Sequence, residues 1–140
     1  MDLLRTLSIS ASGLAAERLR LQTVASNMAN ARTTRTAEGG PYVRKLPVFE
    51  AVQDPFAQEM DRHLASVEVT EVKDSDAPPE MVYDPGHPDA DENGYVAYPN
   101  VNVLEEMVDL MTTARTYEAN TRAVDVTRQM ASAALELGRR

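Results

Sequence analysis

The chain has no cysteine, which excludes disulfides and thiol catalysis and leaves the redox compartment open. It has no tryptophan and only two histidines, His63 and His87. Neither has a second His at ligand spacing, so transition-metal catalysis lacks a ligand set. The six glycines are scattered and build no phosphate-binding loop. No Gly-x-Ser-x-Gly elbow exists, and Ser8, Ser10 and Ser12 fall in the first turns of an amphipathic pattern. No apolar run approaches the ~18–20 residues of a membrane span. Arg5 and the serines interrupt the N-terminus, which lacks the apolar core of a cleavable secretory signal. The expectation is a cytoplasmic chain, or one exported by a route that uses no such signal.

Positive charge is scarce in the centre. Residues 1–36 carry five Arg against Asp2 and Glu17, a balance of +3. Residues 37–101 carry four basic and fourteen acidic side chains, a balance of −10. The remainder balances at −1, giving −8 over the 140 residues. An acidic centre argues against nucleic acid as a partner, and the acidic run reads as a solvated surface.

Proline is absent from both ends. All eight fall between Pro41 and Pro99, and six of the seven aromatic residues lie between Tyr42 and Tyr98. Helix interiors exclude proline, while strands favour aromatic and β-branched residues. The ends carry helical periodicity instead. Over Leu3 to about Ala31 the seam is Leu3, Leu7, Ser10, Leu14, Glu17, Leu21, Val24 and Met28. Over Asn102 to Gly138 it runs through Val103, Met107, Leu110, Ala114, Tyr117, Val124 and Leu135. Asn102 reads as an N-cap with Glu105 in the capping-box position, and Gly138 as a C-terminal stop.

The predicted fold class is therefore α+β. Long N- and C-terminal helices pair as an antiparallel coiled coil, with a small β-rich insert between them. The predicted division is a helical assembly domain over 1–36 and 101–140, with an insert of strands and loops over 37–100. Leu7, Leu14, Leu21 and Met28 are expected to face Val103, Leu110, Tyr117 and Val124, or their equivalents in a neighbour. The predicted strands are Tyr42–Val52, Ala65–Lys73, Glu80–Tyr83 and Tyr95–Tyr98. Thr33–Gly40 reads as a flexible crossing, and Asp54–Leu64 as a short helix or loop. A second stripe on the last helix, Ala123, Val126, Met130, Ala133 and Leu137, lies nearly opposite Val124. A helix apolar on two faces needs two partners, which implies assembly with another molecule.

The polar run Asp84–Gly94 begins like a calcium loop, with Asp89, Asp91, Asn93 and Gly94 in the first, third, fifth and sixth positions. The twelfth is Asn100, not the bidentate Glu the pattern requires. Asn93-Gly94 reads better as the turn of a hairpin. No metal and no cofactor is expected.

The run Ser10-Ala11-Ser12-Gly13-Leu14-Ala15-Ala16-Glu17-Arg18, followed by Ala25-Ser26-Asn27-Met28-Ala29-Asn30-Ala31, resembles the signature of the flagellar rod, hook and hook-associated proteins. A second group narrows this to the proximal-rod type. It comprises Asp84, Pro85, Gly86, His87, Pro88, Asp89, Asp91, Gly94 and Tyr95, then Pro99, Asn100, Val101, and Ala114 through Tyr117 to Asn120. The resemblance implies a non-enzymatic structural subunit whose terminal helices line a hollow rod and transmit torque. It implies contacts with further copies, other rod subunits, the rod adaptor at the export gate and the type III export apparatus. It also implies a place in the periplasmic rod of the basal body, reached without a cleaved signal. Phe56 and Met60 have the spacing of an export-gate signal, a pattern short enough to occur by chance. The remaining alternatives are a monomeric helical adaptor and a metal-loop binding protein.

Overall fold

A computed structural model describes residues 3–53 and 65–138. The side chains of Leu3 and Leu4 and the readings placed on Asp2, Asp54–Leu64, Arg139 and Arg140 lie outside the described residues. Two long helices, α1 (Leu3–Ala29) and α2 (Val103–Gly138), bracket four strands. Strands β1 (Lys45–Gln53) and β2 (Ala65–Asp74) form one antiparallel ribbon, and β3 (Glu80–Tyr83) and β4 (Tyr95–Tyr98) form another. The α+β class and the paired terminal helices are as expected. No described helix is long and apolar enough to cross a membrane.

α2 begins as its sequence directs. The Leu104 N–H donates to Asn102 Oδ1 at 3.1 Å, the N-cap bond. Glu105 closes the other half differently from a standard capping box. Its Oε1 accepts from the Asn102 side-chain amide at 3.1 Å.

α1 ends at Ala29, short of Ala31. Asn30 ends it, with its amide donating to Ser26 O at 2.9 Å and its Oδ1 accepting from Thr33 Oγ1 at 3.2 Å. The crossing that follows is internally bonded. The Tyr42 N–H reaches back to Thr33 O at 3.0 Å, and Thr36 N–H donates to Gly40 O at 2.9 Å. Gly39 and Gly40 make this turn at positive φ. Tyr42 is thus spent on the turn, which corrects the expected start of the first strand from Tyr42 to Lys45.

In the β1–β2 ribbon the register shifts between Val48 and Phe49. Thr70 is the extra residue of this bulge, and its hydroxyl reaches Val48 O at 3.5 Å. The β3–β4 pairing is regular, Glu80 with Tyr98 through Tyr83 with Tyr95. Val96 is fully buried. Gly94 alone takes positive φ in the 84–94 connection; Asn93 does not, so a two-residue Asn-Gly hairpin turn is corrected to a longer loop. A Cβ at Gly94 would sit 2.9 Å from Tyr83 Cε2.

Candidate assembly interface

The helices are antiparallel, with Gly13 against Asn120, Arg20 against Asp109 and Asn27 against Glu106. Four heptad positions of α1, Thr6, Gly13, Arg20 and Asn27, thereby stand level with Thr127, Asn120, Thr113 and Glu106 of α2. This row is polar, and it holds the most deeply buried side chains of the seam. Asn27 is 2 % exposed, Glu106 1 % and Thr113 0 %. Arg20 pairs with Asp109 at 3.1 Å. Thr113 Oγ1 and Glu17 Oε2 are buried without a hydrogen-bond partner.

The expected apolar seam has a secondary place. Val24 and Ala16 are buried, while Leu7, Leu14, Leu21, Met28, Leu110, Ala114, Asn120 and Val124 are half-buried. Val103, Met107 and Tyr117 are exposed. The row of Gly13, Arg20 and Asn27 faces α2, reaching it through Asn120, Asp109 and Glu106, and the leucines flank it.

The polar row ends in a network at the base of the molecule. Asn27 Nδ2 donates to Glu106 Oε2 at 3.2 Å and to Lys45 O at 2.9 Å. Asn27 Oδ1 accepts from Lys45 N–H and from the Tyr42 hydroxyl, each at 2.9 Å. The amide thus bonds the Lys45 backbone as a neighbouring strand would. Arg44 Nε donates to Glu106 Oε1 at 2.6 Å, and its Nη2 bridges the same oxygen. One asparagine therefore joins α1, the crossing, β1 and α2, and the guanidinium neutralises a buried carboxylate.

Ser12 fastens the far end of the ribbon. Its Oγ donates to Ile9 O at 2.8 Å and accepts the Val67 N–H at 3.1 Å. Val67 is paired with Ala51. Asn27 to Ser12 spans about 22 Å of helix and Lys45 to Ala51 about 20 Å of strand. The ribbon therefore lies alongside α1, held at both ends by residues of the N-terminal motif.

The 84–94 loop turns on its own carboxylates. Asp84 Oδ1 accepts the Gly86 N–H, and Asp91 Oδ1 accepts those of Asn93 and Tyr95, each at 2.8 Å. Asp89 takes the Thr34 hydroxyl at 2.8 Å and lies 3.7 Å from Arg35, tying the loop to the crossing. His87 Nδ1 accepts the Asp89 N–H, and its ring stands edge-on to Tyr98. Pro85 packs beside Gly94, and Tyr95 meets Tyr83 edge to face. Pro88 is exposed. Downstream, Pro99 is buried, Val101 is half-buried, and Asn100 Nδ2 donates to Pro78 O at 3.2 Å. The two carboxylates that began a calcium-loop pattern, Asp89 and Asp91, are engaged by the protein's own donors.

Large apolar side chains remain on the outside of α2. Val126 and Met130 are exposed, and Leu135 and Leu137 are 72 % and 75 % exposed. With Gly13 opposite Asn120, Leu3 stands level with about position 130. α2 runs on to Gly138, roughly 12 Å further. Leu104 and Val108, which the sequence did not single out, form with Met111 an exposed row at the other end of α2. Sequence reasoning assigned no role to Arg44, Glu106, Arg20, Asp109 or Thr34. The signal for Glu106 was its phase, shared with Thr113, Asn120 and Thr127.

Comparison with known proteins gives these features a family. A model described as flagella basal body rod protein matches residues 7–35, and one described as flagellar basal body rod FlgEFG protein C-terminal matches residues 92–137. The chain is 42 % identical over 130 residues to the flagellar basal-body rod protein FlgC of Aquifex aeolicus, covering 93 % of this chain and 92 % of the relative. It is 38 % identical to FlgC of Bacillus subtilis, over 99 % of this chain and 100 % of the relative. It is 41 % identical to FlgC of Salmonella typhimurium, over 99 % of both. The chain belongs to the FlgC family of flagellar basal-body rod proteins. Its two matched segments are α1 with the start of the crossing, and β4 with α2. The family is structural and non-enzymatic, and its place is the basal-body rod.

Proposed function

We propose that this chain is a proximal-rod subunit that polymerises through its terminal helices into the hollow shaft that transmits torque. The observation that carries this is the exposure of Val126, Met130, Leu135 and Leu137 on the outer side and free end of α2, in a chain of the rod family. Apolar rows of this length are covered when subunits assemble. Residues 1–36 and 101–140 then act as the assembly domain, and 37–100 as the insert that sets the outer contacts. The polar hub at Asn27 and Glu106 holds the two parts in one orientation. Torque passing along the helices therefore moves the ribbon with them.

Partners on this reading are further copies, other rod subunits, the rod adaptor at the export gate and the type III export apparatus. The chain reaches the periplasm by that export route and works there without cofactor. The test is complementation of a strain lacking this chain with Leu135→Asp/Leu137→Asp. Both side chains are exposed in the single subunit, so the variant folds. It is expected to abolish rods and motility. Normal rods in purified basal bodies would sink the proposal.

A further inference from the structure

Of the six asparagines in the chain, only Asn93 precedes a glycine. With no Cβ to hinder it, a glycine nitrogen can approach the side-chain amide before it, which is how asparagine deamidates. The Asn93 side chain is exposed, whereas Gly94 is buried. The fold therefore acts on the nitrogen. Asp91 holds three successive N–H groups: those of Asn93 and Tyr95 on its Oδ1 at 2.8 Å each, and that of Gly94 on its main-chain oxygen at 3.0 Å. On the other side, Gly94 O accepts the Asp84 N–H at 2.9 Å. The bond from Gly94 to Asp91 closes a turn in which neither Glu92 nor Asn93 takes positive φ. That makes it type I, with Asn93 at the third position and a ψ of about 0°, which turns Gly94 N away from Asn93 Cγ.

We propose that Asn93 is a site of spontaneous deamidation that the folded loop holds shut, and that the isoaspartyl product, formed in an unfolded chain, bars the loop from closing. In the reaction Gly94 N attacks Asn93 Cγ. The N–Cγ bond forms as the Cγ–Nδ2 bond breaks, and the Gly94 proton leaves with Nδ2 as ammonia. Water then opens the cyclic imide. Cleavage of the new N–Cγ bond gives aspartate. Cleavage at the main-chain carbonyl of residue 93 gives isoaspartate, whose backbone runs through the former side chain and is longer by a carbon. In the folded loop the attack needs rotation about the Asn93 Cα–C bond, which breaks the hold of Asp91 on Gly94. Once formed, the longer backbone displaces Gly94 where even a Cβ would stand 2.9 Å from Tyr83 Cε2 and 3.2 Å from Pro85 Cβ. Folded chains are thus protected, and isoaspartyl chains do not rebuild the loop. The labile pair cannot be removed by changing its glycine, because a φ of 82° and the close packing both demand it.

The test follows Asn93 by peptide mass mapping while the purified full-length chain is incubated at mildly alkaline pH, folded or in guanidinium chloride. The amide is expected to be lost at least about tenfold more slowly in the folded chain. Asp91→Ala removes the Oδ1 acceptor of two N–H groups and is expected to bring the folded rate within about threefold of the unfolded one. Asp91→Asn keeps an acceptor oxygen and is expected to stay protected; it carries the test if the alanine variant loses its helical circular dichroism. Equal rates in folded and unfolded wild-type chain, an alanine variant with intact helices that reacts no faster than wild type, or an asparagine variant as fast as the unfolded chain would each overturn the gating.

The block on folding has its own readout. The isoaspartyl chain, isolated from the denaturant arm and diluted to refold, is expected to recover helical dichroism without the near-ultraviolet signal of the Tyr83–Tyr95 pair. Recovery of both signals would overturn the block.

Discussion

Asn27→Ala probes the joint on which the arrangement of helices and ribbon depends. The side chain makes four hydrogen bonds, to Glu106, Tyr42 and both backbone groups of Lys45, and is 2 % exposed. Each such bond is worth about 0.5–1.5 kcal/mol net, more where a charged group takes part. Tyr42 keeps a second option in Ser26 Oγ at 3.4 Å, and Glu106 keeps Arg44. The Lys45 groups have no such substitute among the described residues, so the expected loss is about 2–4 kcal/mol. With a urea slope of about 1–3 kcal/mol per molar, the midpoint for loss of helical circular dichroism falls by roughly 1–3 M. Asn27→Asp separates bonding from volume. It keeps the acceptor for Tyr42 and Lys45 N–H but turns an oxygen toward Glu106 and Lys45 O. It should be at least as damaging as alanine near neutral pH, and part of the loss should return in acid as the new carboxyl protonates. A loss under about 0.5 kcal/mol for Asn27→Ala, or an aspartate as stable as wild type, refutes the account of the hub.

The remaining predictions test other joints. Arg44→Ala leaves the 1 % exposed Glu106 with Asn27 as its partner and should cost about 3 kcal/mol in the same assay. Gly94→Ala forces a side chain into positive φ, 2.9 Å from the Tyr83 ring, and should cost about 1–3 kcal/mol with loss of near-ultraviolet tyrosine dichroism. Ser12→Ala removes the acceptor for Val67 N–H. It should leave the helices intact while amide exchange at Val67 quickens about tenfold, the effect of one hydrogen bond.

Periodicity and proline placement carried the gross fold because they reflect local physics. Asn102 and Glu105 mark the start of α2 by chemistry confined to a few residues, and β2 alternates Val67 and Val69 with Glu68 and Thr70. Gly138 is the last helical residue and does not take the positive φ of a terminating glycine. The hub was hidden for the opposite reason. Arg44 and Glu106 are 62 positions apart, and Thr34 and Asp89 are 55 apart. In sequence Arg44, Glu106 and Thr34 carry no signal of these long-range partners, and Asp89 reads as part of its own loop. The seam misled in a more instructive way. Leu7, Leu14, Leu21 and Met28 repeat at heptad spacing, and hydrophobicity favours them as the buried row. Yet α2 comes in one position over, against Gly13, Arg20 and Asn27, where directional bonds to Asp109 and Glu106 fix it.

A polar seam inside and apolar rows outside invert the usual soluble coiled coil. Within one chain the helices are held by directional bonds: Arg20 to Asp109, Asn27 to Glu106, Arg44 to Glu106. Such bonds add little net stability but penalise every register except one, because a slipped pair would leave Glu106 buried without donors. The hydrophobic stabilisation is reserved for surfaces such as Leu104, Met130 and Leu137, which gain it only when another molecule covers them. Burying one such Leu or Met is worth about 1.5–3 kcal/mol. A few per subunit are comparable to what burial of Val24 and Val96 gives the single chain. The subunit is thus specified before assembly and stabilised by it, and its stability should rise with the concentration of its neighbours.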